Sequence, residues 1–197
     1  MQFNILGIIL TIIGAFIVLK FYVESDFFNL TCHKSELDNQ HYCVRHRNDI
    51  DTAVNLLAGI NKKNKKLIKH LQNKFPDQEN VKRLVERYNP RKLVEINPLS
   101  EHTAYSENKG EKLAFCLTQQ KNINSNNIDK NTLTFVAIHE LAHIASKTIG
   151  HNEEFWTNFK FLLDNAVEIG IYDPIDYKNE PVEYCGMEIN DNPYYDL

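Results

Sequence analysis

The sequence lacks an excess of positive charge. It contains 22 lysine and arginine residues against 26 aspartate and glutamate residues, for a formal net charge of −4 at pH 7. Proteins that bind nucleic acid usually show a basic balance or a basic patch, because they neutralise phosphates. The composition therefore disfavours a nucleic-acid-binding protein, and we predict no nucleic-acid partner.

Cysteine is scarce, and no two cysteines are spaced as a CxxC pair, the usual signature of a structural zinc site. The four cysteines are Cys32, Cys43, Cys116 and Cys185. The segment CHKSELDNQHYC, residues 32–43, nevertheless brings two cysteines and two histidines together. It leaves three interpretations open: a disulfide in an oxidising compartment, an ordinary loop, or a small zinc loop.

Charge is also missing from the start of the chain, where FNILGIILTIIGAFIVL covers residues 3–19. Roughly 20 apolar residues are enough to cross a hydrocarbon core of about 30 Å. No lysine or arginine precedes the run, and the run exceeds the usual core of a signal peptide. We therefore predict a single-pass membrane anchor, with residues 3–23 in the lipid bilayer. A signal peptide that is cleaved near Ser25 is the alternative.

The orientation of this anchor is indicated by few charges. Lys20 and Lys34 follow the apolar run, and only the α-amino group precedes it. The positive-inside rule then favours, by a small margin, a cytosolic domain after the anchor.

The remaining chain contains enough apolar residues for a core, because 43% of the whole sequence is hydrophobic and 11% is aromatic. Helical periodicity, strand-like runs and turn residues predict an α+β fold with a small antiparallel sheet. The predicted organisation is an anchor (1–23), a connector (24–48), a helical region interrupted at Gly59 (49–91), a core (92–190) and a tail (191–197). Within the core we expect a strand at KLVEI, a hairpin around ENKG and two long helices.

The first long helix, TLTFVAIHELAHIASKT, is apolar over most of its length, and Asp129 or Asn131 is expected to cap it. Asn152 is expected to cap the next helix. The buried stripe of that helix is predicted to contain Phe155, Phe159, Leu162, Leu163 and Ala166, and Trp156 is also predicted in the core.

The segment HELAH, in the first of these helices, contains candidate metal ligands and a candidate general base. His139 and His143 are one turn apart, about 40° round the helix axis, so both rings can face one point. Two imidazoles in this arrangement can hold Zn²⁺. Glu140 is displaced by about 100° and can reach a metal-bound water as general base. A metal-free pair of histidines is disfavoured, because unpaired polar groups are costly in an apolar helix.

A catalytic zinc site needs a third protein ligand. His151 is favoured, because Gly150 can turn the chain back and the start of the next helix favours a neutral ring. Glu168, near the end of that helix, is the main alternative. Glu153, Glu154 and Glu183 remain open as further alternatives.

The stretch HELAHIASKTIGHNEEFW, together with the preceding hairpin and the following amphipathic helix, resembles the WLM and SprT-like zinc metallopeptidases over residues 92–170. The resemblance implies a zincin-like domain with zinc on His139, His143 and His151. It also implies that Glu140 is the general base for hydrolysis of a protein or peptide substrate. The rival hypothesis is a membrane-anchored binding or scaffold protein that keeps an inactive zincin fold.

Two residues near the C-terminus are candidate accessories of the site. Tyr184 could donate a hydrogen bond to an oxyanion, and Met187 could form a floor beneath the metal. Packing of the tail is the alternative for both. His102 is predicted to be an ordinary surface or loop residue.

Overall fold

A single apolar helix covers most of the segment that is predicted to be the anchor. The structure, a computed structural model, describes residues 4–24, 29–122 and 124–196. Helix α1 spans Ile5–Glu24. Its segment Ile5–Tyr22 is long and apolar enough to cross a membrane and has no side chain buried against the rest of the protein. Signal sequences share this length and composition. Ser25, at the alternative cleavage site, lies outside the described residues.

The core of the protein contains a five-stranded sheet with the order β1-β2-β3-β5-β4. The strands are β1 (Leu30–Lys34), β2 (His41–Arg45), β3 (Leu93–Glu95), β4 (Ala104–Glu107) and β5 (Lys112–Phe115). The prediction of an antiparallel sheet is wrong, because β2 pairs with β3, and β3 with β5, in parallel. The chain between β2 and β3 runs through two helices, and such a crossover returns the next strand in the same direction.

A hairpin that the sequence analysis did not predict occupies the expected connector, residues 24–48. Strands β1 and β2 pair in antiparallel register, with Cys32 opposite Cys43. These two cysteines form a disulfide. The zinc-loop interpretation of residues 32–43 is therefore wrong, because both thiols are used in the bond.

The helical region expected at residues 49–91 contains α2 (Ile50–Lys74) and α3 (Glu79–Arg87). The predicted interruption at Gly59 is wrong, since α2 continues through it. A glycine inside a helix costs about 1 kcal/mol relative to alanine. Buried side chains on both sides of Gly59, including Val54, Leu57, Leu67 and Leu71, outweigh that cost.

Two helices that pack against each other follow the sheet: α4 (Lys130–Ala145) and α5 (Glu153–Glu168). The Asp129 side chain accepts hydrogen bonds from the amides of Asn131 and Thr132, and Asn152 accepts one from Phe155. Both predicted caps are confirmed, with Asp129 rather than Asn131 at the first helix. The predicted stripe of α5 is confirmed as buried, at Phe155, Phe159, Leu162, Leu163 and Ala166. Trp156 is 44% exposed, so its prediction as a core residue is wrong.

A second small hairpin follows α5, formed by β6 (Val182–Tyr184) and β7 (Met187–Ile189). Its turn is tied to the end of the main sheet by a disulfide between Cys116 and Cys185. The amides of Cys185 and Gly186 also donate to the carbonyls of Thr118 and Gln119. The hairpin is therefore fixed beside the open edge of β4.

Candidate metal centre

Helix α4 presents His139 and His143 from successive turns. The ring centroids lie 4.9 Å apart. Both side chains are partly buried, while the rest of the helix is almost wholly buried in the core. The predicted geometry of the HELAH segment is therefore present, with two imidazoles on one side of a well-anchored helix.

His151 comes to the same place from the loop between α4 and α5. Its ring centroid lies 4.9 Å from that of His139 and 4.8 Å from that of His143. Its Nε2 atom is 3.1 Å from Nε2 of His139. One candidate ligand atom from each of the three rings lies within 4.8 Å of the other two.

Phe155 packs against all three imidazoles. The centroid of this fully buried ring is 4.8 Å from that of His139, 4.4 Å from His143 and 4.6 Å from His151. The phenyl ring limits the rotation of the three imidazoles from the core side.

Burial keeps the α4 histidines neutral. Desolvation, followed by the neighbouring histidines, lowers the pKa of His139 to about 3. Desolvation, followed by His151 and then Lys109, lowers the pKa of His143 to about 4. Neutral rings have a free lone pair, which is the form that coordinates a metal.

Glu140 lies beside this cluster with only 4% of its surface exposed. Desolvation by burial raises the pKa of its carboxyl to about 8. Glu140 also lines the cavity onto which the histidines open. The structure thus brings Glu140, His139, His143 and His151 to one wall of one cavity.

This cavity has a volume of about 910 Å³. Its walls come from β4 and the residues before it, from α4, from the loop that carries His151, and from the β6–β7 hairpin. The residues that line the cavity include His102, Tyr105, Phe135, Val136, Ile149, Tyr184 and Met187. His102 is an exposed loop residue as predicted, yet it faces the same cavity.

Tyr184 and Met187 both line the cavity, at different depths. The Tyr184 hydroxyl is buried, donates to the carbonyl of Thr103 (3.3 Å) and accepts from the amide of Cys116 (3.2 Å). Burial, with the nearby Glu140 second, raises the pKa of Tyr184 well above its usual range. The Met187 sulfur accepts from the hydroxyl of Thr103 at 3.4 Å, and the side chain is 48% exposed. Both residues therefore connect the hairpin to the start of β4.

The carboxylates considered as alternative third ligands lie elsewhere. Glu168 pairs with Lys74 and is 4.0 Å from His70, at the far end of α5. Glu183 accepts from Gln120, and Glu153 is exposed. Glu154 accepts hydrogen bonds from the loop before His151. Among the described residues, the group that converges consists of the three histidines alone.

The donor set fits zinc. A tetrahedral zinc with Zn–N distances of about 2.0–2.1 Å holds its ligand nitrogens roughly 3.3 Å apart. The 3.1 Å between the two Nε2 atoms is close to that value. Three imidazoles beside an open cavity also match the pattern of a catalytic site, in which the fourth position stays accessible.

Comparison with known proteins identifies viral relatives. No model of a known protein family matches the chain. The uncharacterized protein R325 of Acanthamoeba polyphaga mimivirus is 31% identical over 163 residues, which cover 81% of this chain and 82% of that protein. The chain belongs to the R325 family.

Shorter matches connect this chain to proteins of two invertebrate viruses. The uncharacterized protein 136R of Invertebrate iridescent virus 6 is 35% identical over 41% of this chain and 45% of its own length. The uncharacterized protein 042R of Invertebrate iridescent virus 3 is 48% identical over 30% of this chain and 36% of its own length.

Among solved structures, the crystal structure of Wss1 from Saccharomyces cerevisiae is similar with a TM-score of 0.49 and 17% identity. The match covers 70% of this chain and 94% of that chain. The resemblance to WLM and SprT-like metallopeptidases remains a prediction from the sequence motif.

Two parts of the site were missed by sequence reasoning. The indole N–H of Trp156 donates to the carbonyl of His151 at 3.1 Å, so this residue belongs to the site rather than the core. The Cys116–Cys185 disulfide fixes the hairpin that forms one wall. The position of Trp156, 100° round the helix from Phe155, was a signal that it leaves the buried stripe.

Proposed function

We propose that the chain is a zinc-dependent metallopeptidase that hydrolyses peptide bonds in a protein or peptide substrate. The observation that supports this proposal most directly is the convergence of three imidazoles on a cavity that also contains the Glu140 carboxylate. A metal-binding scaffold would need the histidines but would have no use for a buried carboxylate beside them.

In the proposed site His139, His143 and His151 hold the metal. Zinc bound there would polarise the scissile carbonyl and acidify the attacking water. The role of Glu140 follows from its position one residue after His139 and at the cavity wall. The positive charge of a bound zinc would lower the raised pKa of Glu140 again and keep its carboxylate ionised. A carboxylate oxygen of Glu140 would then take a proton from the attacking water and deliver it to the nitrogen of the leaving amine.

The cavity offers space for a segment of polypeptide. Its volume of about 910 Å³ lies near the upper end of the roughly 300–1,000 Å³ that is common for ligand pockets. Phe135, Val136 and Ile149 give part of its lining an apolar character. These features favour a substrate chain whose apolar side chains enter the cavity next to the histidines.

We further propose that α1 anchors the protein in a membrane and that the domain faces an oxidising compartment. The basis is that all four cysteines are paired, and disulfides persist mainly in such compartments. This orientation is the opposite of the one that the few flanking lysines favour.

The decisive experiment compares the full chain with Glu140→Gln, both purified in detergent and loaded with zinc. The variant is expected to keep its zinc and to lose peptide cleavage by a factor of about 10² or more, because general-base catalysis contributes that much. Unchanged cleavage would remove Glu140 from the mechanism. Zinc binding without cleavage by the unmodified chain would instead favour the inactive scaffold.

A further inference from the structure

The loop that carries His151 is an exposed part of the protein. All residues from Lys147 to Asn152 are exposed, and Ile149 is 89% exposed. Gly150 has a φ of 88°, a backbone conformation that a residue with a side chain rarely adopts. Exposed loops of this kind are usually mobile. A metal ligand, however, must be held within about 0.5 Å of its place.

The carboxylate of Glu154 holds the first half of this loop. Glu154 lies in the first turn of α5 and reaches back over the chain that precedes the helix. One oxygen accepts from the amide of Lys147 at 2.8 Å. The other accepts from the amide of Thr148 at 3.0 Å and from its hydroxyl at 2.6 Å. These three hydrogen bonds, of which the one from Lys147 is the strongest cause, lower the pKa of Glu154 to about 2.

A lysine holds the other side of the same peptide units. The Lys109 ammonium, in the turn between β4 and β5, donates to the carbonyls of Ser146 (3.0 Å), Lys147 (3.4 Å) and Thr148 (2.5 Å). The amides of this short stretch therefore meet a negative charge, and its carbonyls meet a positive charge.

An arginine connects Glu154 to the end of α4. Arg83, on α3, donates through Nε to the carbonyl of Ala145 at 2.8 Å. Its Nη2 lies 3.4 Å from a carboxylate oxygen of Glu154. Glu154 is thus itself held in place by a side chain from a third element.

The second half of the loop is held at His151 itself, where the indole of Trp156 donates to the backbone carbonyl. Asn152 donates to the hydroxyl of Thr148 at 2.7 Å, which links the two halves. Only Ile149 and Gly150 lie between these fixed points.

We propose that Glu154 is a positioning residue that holds the loop so that the ring of His151 is already in place for a metal ion. The inference rests on the proposed metal centre. Glu154 itself stays outside the ligand set, because its carboxylate is occupied by the hydrogen bonds to the loop. Its action is exerted through His151.

The test is the zinc affinity of the full chain in detergent, measured by competition with a chromogenic chelator. Glu154→Gln replaces one acceptor oxygen by a donor that faces an amide of the loop. Removal of a residue that orients a metal ligand typically weakens affinity by about 10–100-fold, and we expect a loss in that range. Glu153→Gln is the matched control. It removes the same charge from the same helix turn, but the Glu153 carboxylate makes no hydrogen bond to the loop among the described residues. The Glu153→Gln variant should therefore bind zinc as tightly as the unmodified chain.

A double-mutant cycle separates positioning from a general effect on the fold. If Glu154 acts through His151, Glu154→Gln should cause no further loss of affinity in the His151→Ala background. An equal loss in both backgrounds would overturn the inference, and so would wild-type affinity of the Glu154→Gln variant.

Two further measurements keep the test independent of folding and of the proposed function. Thr148→Val removes the hydroxyl that donates to Glu154 and accepts from Asn152, but leaves both loop amides bound to the Glu154 carboxylate. It should therefore weaken zinc binding less than Glu154→Gln does, and an unchanged affinity would count against the role of this hydroxyl. If the unmodified chain and His139→Ala bound zinc equally, the metal centre itself would be refuted. If zinc binding depended on His139 while Glu154→Gln left it unchanged, only the positioning role would fail.

Discussion

The Nε2 atoms of His139 and His151 lie 3.1 Å apart, although one residue belongs to a buried helix and the other to an exposed loop. Two neutral imidazole nitrogens repel each other at this distance when both present lone pairs. A proton or a cation between them removes the repulsion. The contact therefore joins the α4–α5 loop to α4 at the site that we propose for the metal.

The first prediction concerns the ligand set. His139→Ala removes one of the three rings of the cluster and should reduce the zinc content of the purified full chain from about one ion per molecule to near zero. Elemental analysis measures this change. His102→Ala is the control, because His102 lines the same cavity but is not part of the cluster. An unchanged zinc content in His139→Ala would contradict the assignment.

The second prediction concerns the Cys116–Cys185 disulfide, which closes a sequence separation of 69 residues. Chain entropy predicts that this bond stabilises the folded state by about 4 kcal/mol, and the 11-residue separation of Cys32–Cys43 by about 3 kcal/mol. Replacement of Cys116 and Cys185 by alanine should therefore lower the free energy of unfolding more than replacement of the other pair. Urea unfolding of both double variants measures the two losses of unfolding free energy. A larger loss for the Cys32–Cys43 variant would contradict the prediction.

A third prediction concerns the pH dependence of stability at Glu154. Its pKa in the folded protein is about 2, below the ordinary value of 4.5. The carboxylate therefore contributes stability that is present in full above pH 4.5 and is lost as the pH falls towards 2. The difference in melting temperature between the metal-free protein and Glu154→Gln should be constant at neutral pH and shrink below pH 4.5. A melting-temperature difference that stays the same down to pH 3 would argue against the hydrogen bonds that Glu154 accepts from Lys147 and Thr148.

A fourth prediction concerns a buried amide in the core. Asn61 on α2 donates to the Tyr42 hydroxyl (2.7 Å) and to the Pro90 carbonyl (2.8 Å), and accepts from the Tyr88 hydroxyl (2.8 Å). Asn61→Ala removes the acceptor of the Tyr88 hydroxyl and the donor to the Pro90 carbonyl, while the Tyr42 hydroxyl keeps its hydrogen bond to Asp38. An unsatisfied buried group costs about 1–3 kcal/mol. Urea unfolding should therefore show that the free energy of unfolding of Asn61→Ala is lower by at least about 1–3 kcal/mol. The exposed Asn124→Ala serves as the control, and equal stability of the two variants would contradict the prediction.

The fifth prediction concerns orientation in the membrane. If the domain faces an oxidising compartment, none of its four cysteines should react with maleimide in the cell-made protein until a reductant is added. A protease added outside sealed vesicles that expose the oxidising face should then digest the domain and leave α1 protected. Free thiols, or a domain that the protease cannot reach in the same vesicles, would instead support the cytosolic orientation.

Much of the metal centre could be predicted from the sequence because its information is local. The spacing of His139 and His143, the caps Asp129 and Asn152, and the buried stripe of α5 depend on helical periodicity within short segments. The same reasoning correctly predicted the β4–β5 hairpin around its turn.

The errors arise where distant segments decide the structure. Strands β1 and β2 are short, and β2 finds its second neighbour only after two helices, so their sequence gives little sign of a sheet. Gly59 was assigned too much weight, because the sequence does not show how much burial lies on both sides of it. The contact between Glu154 and the loop was not predicted, since these hydrogen bonds depend on the turn at Gly150.

The distant pairing of Cys116 with Cys185 has a consequence for how the protein is made. The first disulfide joins neighbouring strands and can form while the nascent chain is still short. The second must wait until the ribosome has also released Cys185, which follows Cys116 by 69 residues and lies in the turn of the β6–β7 hairpin. The cavity is therefore completed after the histidines have emerged, and a chain still under synthesis has the three histidines without the wall that faces them.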